Sequence, residues 1–460
     1  MKHATPSSQS VDAAGIGAFI EAVEADRRIE PHGLILQRHG HRIAEGYWAP
    51  HDRGRGRLVY SLSKSFTGAA LGFQIAEGRL TLDDLVSDHL PDIDFHDDAK
   101  RLRIRHIASM ATGHTDETLG DAQAADPHDV VRGFLSLPAQ HEPGTVFAYN
   151  QPPVLTLATV LERLAGERLS DYLAPRLLHP LSINTFQWAH WPPGIDMGFS
   201  GVFTDLDAIA KLGQLHLDGG THGTKTLLSE AWITEASSTQ TNNRGGETID
   251  WQQGYGFQLW QSQHGYRGDG AFGQYMVVLP EHDAVIAMFS NTDHMQTVLD
   301  LMWEHLLPAL RRPGSALADD ALTTRLGALR LPTTGERLGT PPGSFAIDAS
   351  FAPSAPTLTS HRSITLVNVR SGRVAVHENG AQQASLDLPI TEHWVTEGNV
   401  ATCAAQHTDG VFSVDVAFLN TPHRLELELT NGMFQSDWGR VPLFGAGISN
   451  RLHEIADAPN

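Results

Sequence analysis

Cysteine is almost absent from this chain: the single Cys403 excludes an internal disulfide framework and any cysteine-based zinc site. Lysine is nearly as scarce, with only Lys2, Lys64, Lys100, Lys211 and Lys225, and the formal net charge is −20. So acidic a surface repels nucleic-acid phosphates and anionic lipid headgroups, and neither nucleic acid nor a membrane is expected as a partner. No apolar run approaches membrane-spanning length, and the first ten residues lack the apolar stretch of a secretory leader, so a cytoplasmic location is the expectation. Gly-x-Ser-x-Gly, Gly-x-x-x-x-Gly-Lys and His-Glu-x-x-His are all missing. Their absence argues against an α/β-hydrolase elbow, a phosphate-binding loop and a zinc-protease helix. The 25 histidines offer His39/His41 and His106/His114 as metal-ligand pairs. Scattered histidines more often serve as surface or satisfied core residues, and no metal or other cofactor is expected.

What is present is a globular composition, 41% hydrophobic and 19% charged over 460 residues, enough for more than one domain. Residues 11–29 carry Ile16, Phe19, Ile20 and Val23 at helical spacing. Residues 33–37 and 42–48 flank the turn Arg38-His-Gly-His41 as a strand pair. A helix beginning near Ser61 ends near Ala76-Glu-Gly78, and the acidic stretch from Asp83 to Asp98 reads as a solvated loop without calcium-loop spacing. Residues 255–260, 274–279 and 284–289 read as three consecutive strands, followed by a helix from about Met295 to Leu310. This order predicts an α+β fold, an antiparallel sheet flanked by helices, over residues 1–312. Residues 313–343, ending in Pro332-Thr-Thr-Gly-Glu-Arg-Leu-Gly-Thr-Pro-Pro-Gly343, read as a linker. Alternating segments at 363–369, 412–418 and 424–429, with turns at Asn379-Gly380 and Asn431-Gly432, then predict a small all-β sandwich or barrel over 344–460.

The chemistry-bearing candidate is Ser61-Leu-Ser-Lys64, at the start of an apolar helical run. Residues three apart share a helix face, so the Lys64 amine can reach the Ser61 oxygen. A serine hydroxyl needs an adjacent base, and a lysine whose pKa is lowered by burial can supply it. The positive end of the helix dipole favours an oxyanion nearby. Alone, the pair is equally compatible with a capping serine and a solvated lysine. Two further segments offer partners. Tyr149, in His141-Glu-Pro-Gly-Thr-Val-Phe-Ala-Tyr-Asn150, stands where a loop enters a helix, and is by itself most simply a core tyrosine. Arg267-Gly-Asp-Gly-Ala-Phe-Gly-Gln274 enters a strand with glycines that permit close backbone approach, and is by itself most simply a hairpin turn.

Taken together, Tyr60-Ser-Leu-Ser-Lys-Ser-Phe66, Ile104-Arg-His-Ile-Ala-Ser-Met-Ala-Thr-Gly-His114, Pro143-Gly-Thr-Val-Phe-Ala-Tyr149 and Gly270-Ala-Phe-Gly-Gln-Tyr-Met-Val-Val-Leu-Pro280 resemble the class C β-lactamase-related serine hydrolases. That family also includes esterases, D-amino-acid peptidases and penicillin-binding proteins. The resemblance spans about residues 15–310 and implies a β-lactamase/transpeptidase-like fold; the C-terminal part is similar to the lipocalin-like appendages of some members. It implies Ser61 as nucleophile, Lys64 as its base, Tyr149 as proton relay, and the backbone amides of Ser61 and Ala271 as oxyanion hole. Two positions depart from the family pattern. The third position of the Tyr-x-Asn element is Gln151, with Asn150 beside it able to take over part of that role. The Lys-Thr-Gly element is replaced by Gly268-Asp269-Gly270, with Arg267 one residue away as a substitute cation. These six are the expected substrate-binding residues. The expected activity is therefore hydrolysis of a small ester or amide, with a β-lactamase role disfavoured. The alternative is a weakly catalytic penicillin-binding-like acyl acceptor, or a ligand-binding protein of the same fold.

Overall fold

The computed structural model describes residues 2–191, 194–245, 248–339, 348–354, 363–387, 393–406, 410–443 and 447–448. Helix α1 (Ala13–Ala25) forms where the sequence spaces apolar residues for it; Ile16, Phe19, Ile20 and Val23 are fully buried, and the Asp12 side chain caps the Ala14 amide. A short strand β1 (Lys2–His3) precedes it, and the hairpin β2 (Glu30–Arg38) and β3 (His41–Tyr47) follows. Then come α2 (Ser63–Ala76), α3 (Pro152–Ala165) and α4 (Leu206–Leu217), before the strands β4 (Trp260–Gln261), β5 (Tyr266–Gly270), β6 (Gln274–Leu279) and β7 (Ala284–Asn291). The chain is helical again from α5 (Met295–Leu301) through to Ala309.

These strands form one sheet in the order β1-β3-β2-β7-β6-β5-β4, antiparallel except for β1 against β3. Side chains alternate across it. Met276 and Val278 of β6 pack with α2, α3 and α4, whereas Tyr275, Val277 and Leu279 pack with α1 and α5. The result is a helix–sheet–helix sandwich with a core on each face of the sheet. Among the described residues no helix is long and apolar enough to cross a membrane.

Two elements depart from the sequence reading. Of residues 255–260 only Trp260 joins a strand: the chain turns back at Gln258, whose φ is +61°, and both its backbone amide and its side-chain amide bond the Ala108 carbonyl. The missing strand is β5 instead, made from the glycine-bearing segment read as a strand entrance.

The 313–343 stretch is not a plain linker. α6 (Ala316–Gly327) packs Leu322 into the α1 core, and Arg325 pairs with Glu24 of α1. α7 (Thr334–Leu338) joins the C-terminal part, with Thr334 Oγ1 donating to Asp415 Oδ2 at 2.8 Å and Arg337 pairing with the same carboxylate at 2.8 Å. Residues 340–343 lie outside the described residues. Among the described residues the C-terminal sheet has nine strands: β8 (Ala349–Pro353), β9 (Ile364–Arg370), β10 (Arg373–Glu378), β11 (Ala381–Asp387), β12 (Val395–Glu397), β13 (Val400–Gln406), β14 (Phe412–Phe418), β15 (Arg424–Thr430) and β16 (Met433–Trp438). Their order is β11-β10-β9-β8-β16-β15-β14-β13-β12. β11 also lies against β12 and β13, so the sheet curls into a half-barrel around Val367, Val376, Val414, Leu427 and Phe434.

Candidate active site

The chain enters the site along the two-residue strand Arg57–Leu58, paired with Val202–Thr204, and the Val59 amide continues that pairing to the Val202 carbonyl at 2.9 Å. Tyr60 then adopts φ +50°, and Tyr60–Leu62 makes a single 3-10 turn into α2. Ser63 fastens the turn: its hydroxyl donates to the Tyr60 carbonyl at 2.6 Å and accepts from the Val202 amide at 3.0 Å. Ser61 is left half-buried at the mouth of the helix, while Lys64, one turn on, is 2% exposed.

Three acceptors surround the Lys64 amine: Ser61 Oγ at 3.3 Å, Gln151 Oε1 at 2.8 Å and the Phe199 carbonyl at 2.9 Å. The Tyr149 ring lies 4.7 Å from Nζ. Burial strips water from the ammonium and lowers its pKa to about 7, against the pull of the Asp269 and Glu117 carboxylates. An amine in that range exists in both forms near neutrality, so Nζ can accept the Ser61 proton. Tyr149 is displaced the other way. Loss of water around its phenol pushes the pKa up, the Asp269 charge adds to this, and the hydrogen bond with Ser61 and the Arg267 charge oppose it. It therefore stays a phenol, able to pass a proton but not to act as the resting base. Its ring is held by a 5.0 Å stack on Trp260.

The remaining sequence candidates divide. Gln151, not Asn150, contacts Lys64. Asn150 is fully buried and turned away, its Oδ1 accepting from the Thr118 amide and hydroxyl, both at 3.1 Å. Arg267 is no substitute cation for substrate. It is completely buried, its Nε donating to Asp269 at 2.9 Å and Nη1 to Ser262, Gln261 and Asp250, with the guanidinium 4.2 Å above the Trp251 ring. The cause is strand alternation, which turns residue 267 away from the face that meets α2. Asp269 lies beside it as its ion-pair partner; burial raises its pKa and Arg267 lowers it. Gly268 and Gly270 are spacers rather than ligands. A Cβ on Gly268 would stand 2.3 Å from Ser65 Oγ, and one on Gly270 2.0 Å from the Val59 carbonyl and 3.2 Å from the Leu62 amide. The end of β5 thus lies directly against the backbone around Ser61, and half-buried Ala271 follows immediately.

Two contributors went unread in the sequence. The Phe199 acceptor is a backbone carbonyl, which no residue type announces. Glu117 accepts from the Gln151 amide at 3.3 Å and is set there only by the loop's path. Among the described residues neither candidate histidine pair, His39/His41 or His106/His114, gathers a third ligand. Among the described residues one group, Glu30, His32 and His51, has ligand-type atoms within 4.8 Å of one another. It is not built for a cation: His32 Nε2 faces Glu30, Arg57 occupies His32 Nδ1 at 2.8 Å, and Arg424 pairs with Glu30 at 3.0 Å.

Comparison with known proteins agrees with this architecture. The family model described as Beta-lactamase matches residues 17–310. The 6-aminohexanoate-dimer hydrolase of Paenarthrobacter ureafaciens is 24% identical over 286 residues, covering 54% of this chain and 69% of that protein. Among solved structures, the octameric penicillin-binding protein homologue from Pyrococcus abyssi superposes with TM-score 0.52 at 15% identity, over 92% of this chain and 99% of that one. EstCE1, described as a hydrolase with promiscuous acyltransferase activity, gives TM-score 0.53 at 18% identity, over 65% and 98%.

Proposed function

This chain belongs to the beta-lactamase family, and from that premise we propose that it is a serine hydrolase that cleaves small esters or amides through an acyl-enzyme on Ser61. One observation carries the reading: a buried lysine amine, lowered to about 7, stands 3.3 Å from a serine hydroxyl at a helix entrance. Lys64 Nζ takes the hydroxyl proton as Ser61 Oγ attacks the carbonyl. The amides of Ser61 and Ala271 donate to the oxyanion; the close approach of β5 to the Ser61 turn at Gly270 supports this assignment. Tyr149 passes a proton to the leaving alkoxide or amine. Water then attacks the acyl group with the same residues returning the proton, and Ser61 is restored.

With Arg267 enclosed, its guanidinium is not available to hold a substrate carboxylate. Neutral esters and amides fit better than penicillins, and the relatives described as a 6-aminohexanoate-dimer hydrolase and as a hydrolase with promiscuous acyltransferase activity support a hydrolase. Replacing Ser61 with Ala removes turnover of p-nitrophenyl esters and labelling by a fluorophosphonate; activity surviving in Ser61→Ala contradicts the reading.

A further inference from the structure

The turn that carries Ser61 is gripped from outside its own domain. The loop between β14 and β15 crosses to the strand before the nucleophile: the Leu58 amide donates to the Asn420 carbonyl at 2.9 Å, and Arg57 Nη2 donates to the Thr421 carbonyl at 2.7 Å. At the end of this loop His423, 1% exposed, has Nδ1 facing the Arg440 carbonyl at 3.1 Å and Nε2 bonded to the Tyr60 hydroxyl. The ring nitrogen facing a carbonyl carries the hydrogen, so in the neutral imidazole Nε2 accepts from the Tyr60 hydroxyl. Phe272 completes the group, its ring edge-on to His423 at 4.9 Å and to Tyr60 at 5.3 Å.

Tyr60 and Phe272 share a second property. Their φ angles are +50° and +66°, in the left-handed region that aromatic residues rarely occupy. Tyr60 immediately precedes Ser61, and Phe272 immediately follows Ala271. The Tyr60–Ser61 peptide bears one of the two oxyanion-hole amides, and Phe272 fixes the chain just past the other. Such conformations persist only where surrounding contacts over-determine them. His423 touches both side chains.

We propose that His423 is a positioning residue of the active site. It locks Tyr60 and Phe272 in their left-handed turns and so aims the Ser61 and Ala271 amides at the oxyanion, which makes the C-terminal sheet part of the catalytic apparatus. The proposal rests on the serine-hydrolase reading above. The test compares full-length wild type with His423→Ala, His423→Gln and Tyr60→Phe. It measures the rate of labelling by a fluorophosphonate, whose addition builds charge on an oxygen in the same hole, together with kcat and KM on a p-nitrophenyl ester. Wild type labels at Ser61. His423→Ala and Tyr60→Phe lose about ten- to a hundredfold in labelling rate and kcat with KM little changed. His423→Gln, whose side-chain oxygen can still accept from Tyr60, recovers part of the loss. Tyr60→Phe keeps the ring and deletes only the hydroxyl, so it decides the matter if His423→Ala does not fold. An unlabelled wild type overturns the serine-hydrolase reading and this proposal with it. A labelled wild type whose Tyr60→Phe variant reacts at the wild-type rate, or a His423→Gln variant as impaired as His423→Ala, overturns this proposal alone.

Discussion

At the residue scale the site is governed by where one proton resides. Lys64 releases its proton near pH 7 because the folded chain denies the ammonium water, so kcat/KM for a neutral ester is expected to rise with pH through about 7. Glu117 opposes that release from the protein surface. Glu117→Gln therefore moves the midpoint to lower pH, and an upward shift in the pH–rate profile refutes the assignment. The same displacement acts on stability. Between about 7 and the ordinary lysine value the unfolded chain holds a proton that the folded chain has lost, so stability rises with pH across that window. Urea midpoints of wild type should climb relative to Lys64→Met from near neutral to mildly alkaline pH; a constant difference contradicts the shift. Gln151→Ala removes one of the three acceptors that aim the amine and is expected to lower kcat about ten- to a hundredfold, read from steady-state kinetics. Ser61 and Lys64 could be nominated from the sequence because their types and spacing carry chemistry, whereas Tyr149 takes its role only from the resemblance to the serine hydrolases. The contact of Gln151 was legible only as a departure from a pattern. Arg267 misled because a charge one position along a strand points to the opposite face.

Elements explain that last failure. β5 alternates Gly268 and Gly270 toward α2 with Arg267 and Asp269 toward the opposite side, so its glycines are there for the approach of β5 to Ser65 and Val59. A Cβ at position 270 would meet the Val59 carbonyl at 2.0 Å. Gly270→Ala is therefore expected to push the strand end off the Ser61 turn and remove most activity, with the loss in kcat exceeding any change in KM. Asp269→Ala leaves the Arg267 guanidinium enclosed without its carboxylate, a cost of about 3–5 kcal/mol measurable by denaturant unfolding. Long periodic elements such as α1 and β7 were readable because their core-facing residues repeat at the helical or strand period. β5 was not, since a strand made of Tyr-Arg-Gly-Asp-Gly has no apolar alternation to read. Nor could the turn at Gln258 be anticipated, because its positive φ is maintained by hydrogen bonds to a distant residue, Ala108.

On the scale of the whole molecule, the two parts of the chain are more tightly joined than the sequence suggests. Composition separated an α+β part from an all-β part, and both are present. The stretch between them has the Pro, Gly and Thr content of a linker, yet α6 completes the core of one part and α7 attaches to the other. Those dockings rest on particular side-chain contacts, Leu322 against the α1 core and Arg325 with Glu24 in one, Thr334 and Arg337 with Asp415 in the other, that leave no periodic trace. Further ties, Arg424 to Glu30 at 3.0 Å and Arg440 to Asp293 at 2.7 Å, bring the curled sheet against the domain that carries Ser61. The account as a whole stands or falls on a covalent intermediate at one oxygen. Rapid acid quench of the full-length protein with a p-nitrophenyl ester, followed by peptide mass mapping, tests it most directly. The acyl mass is expected on Ser61 in wild type and nowhere in Ser61→Ala; an acyl group on another residue, or steady turnover with no acylated protein at any quench time, contradicts it.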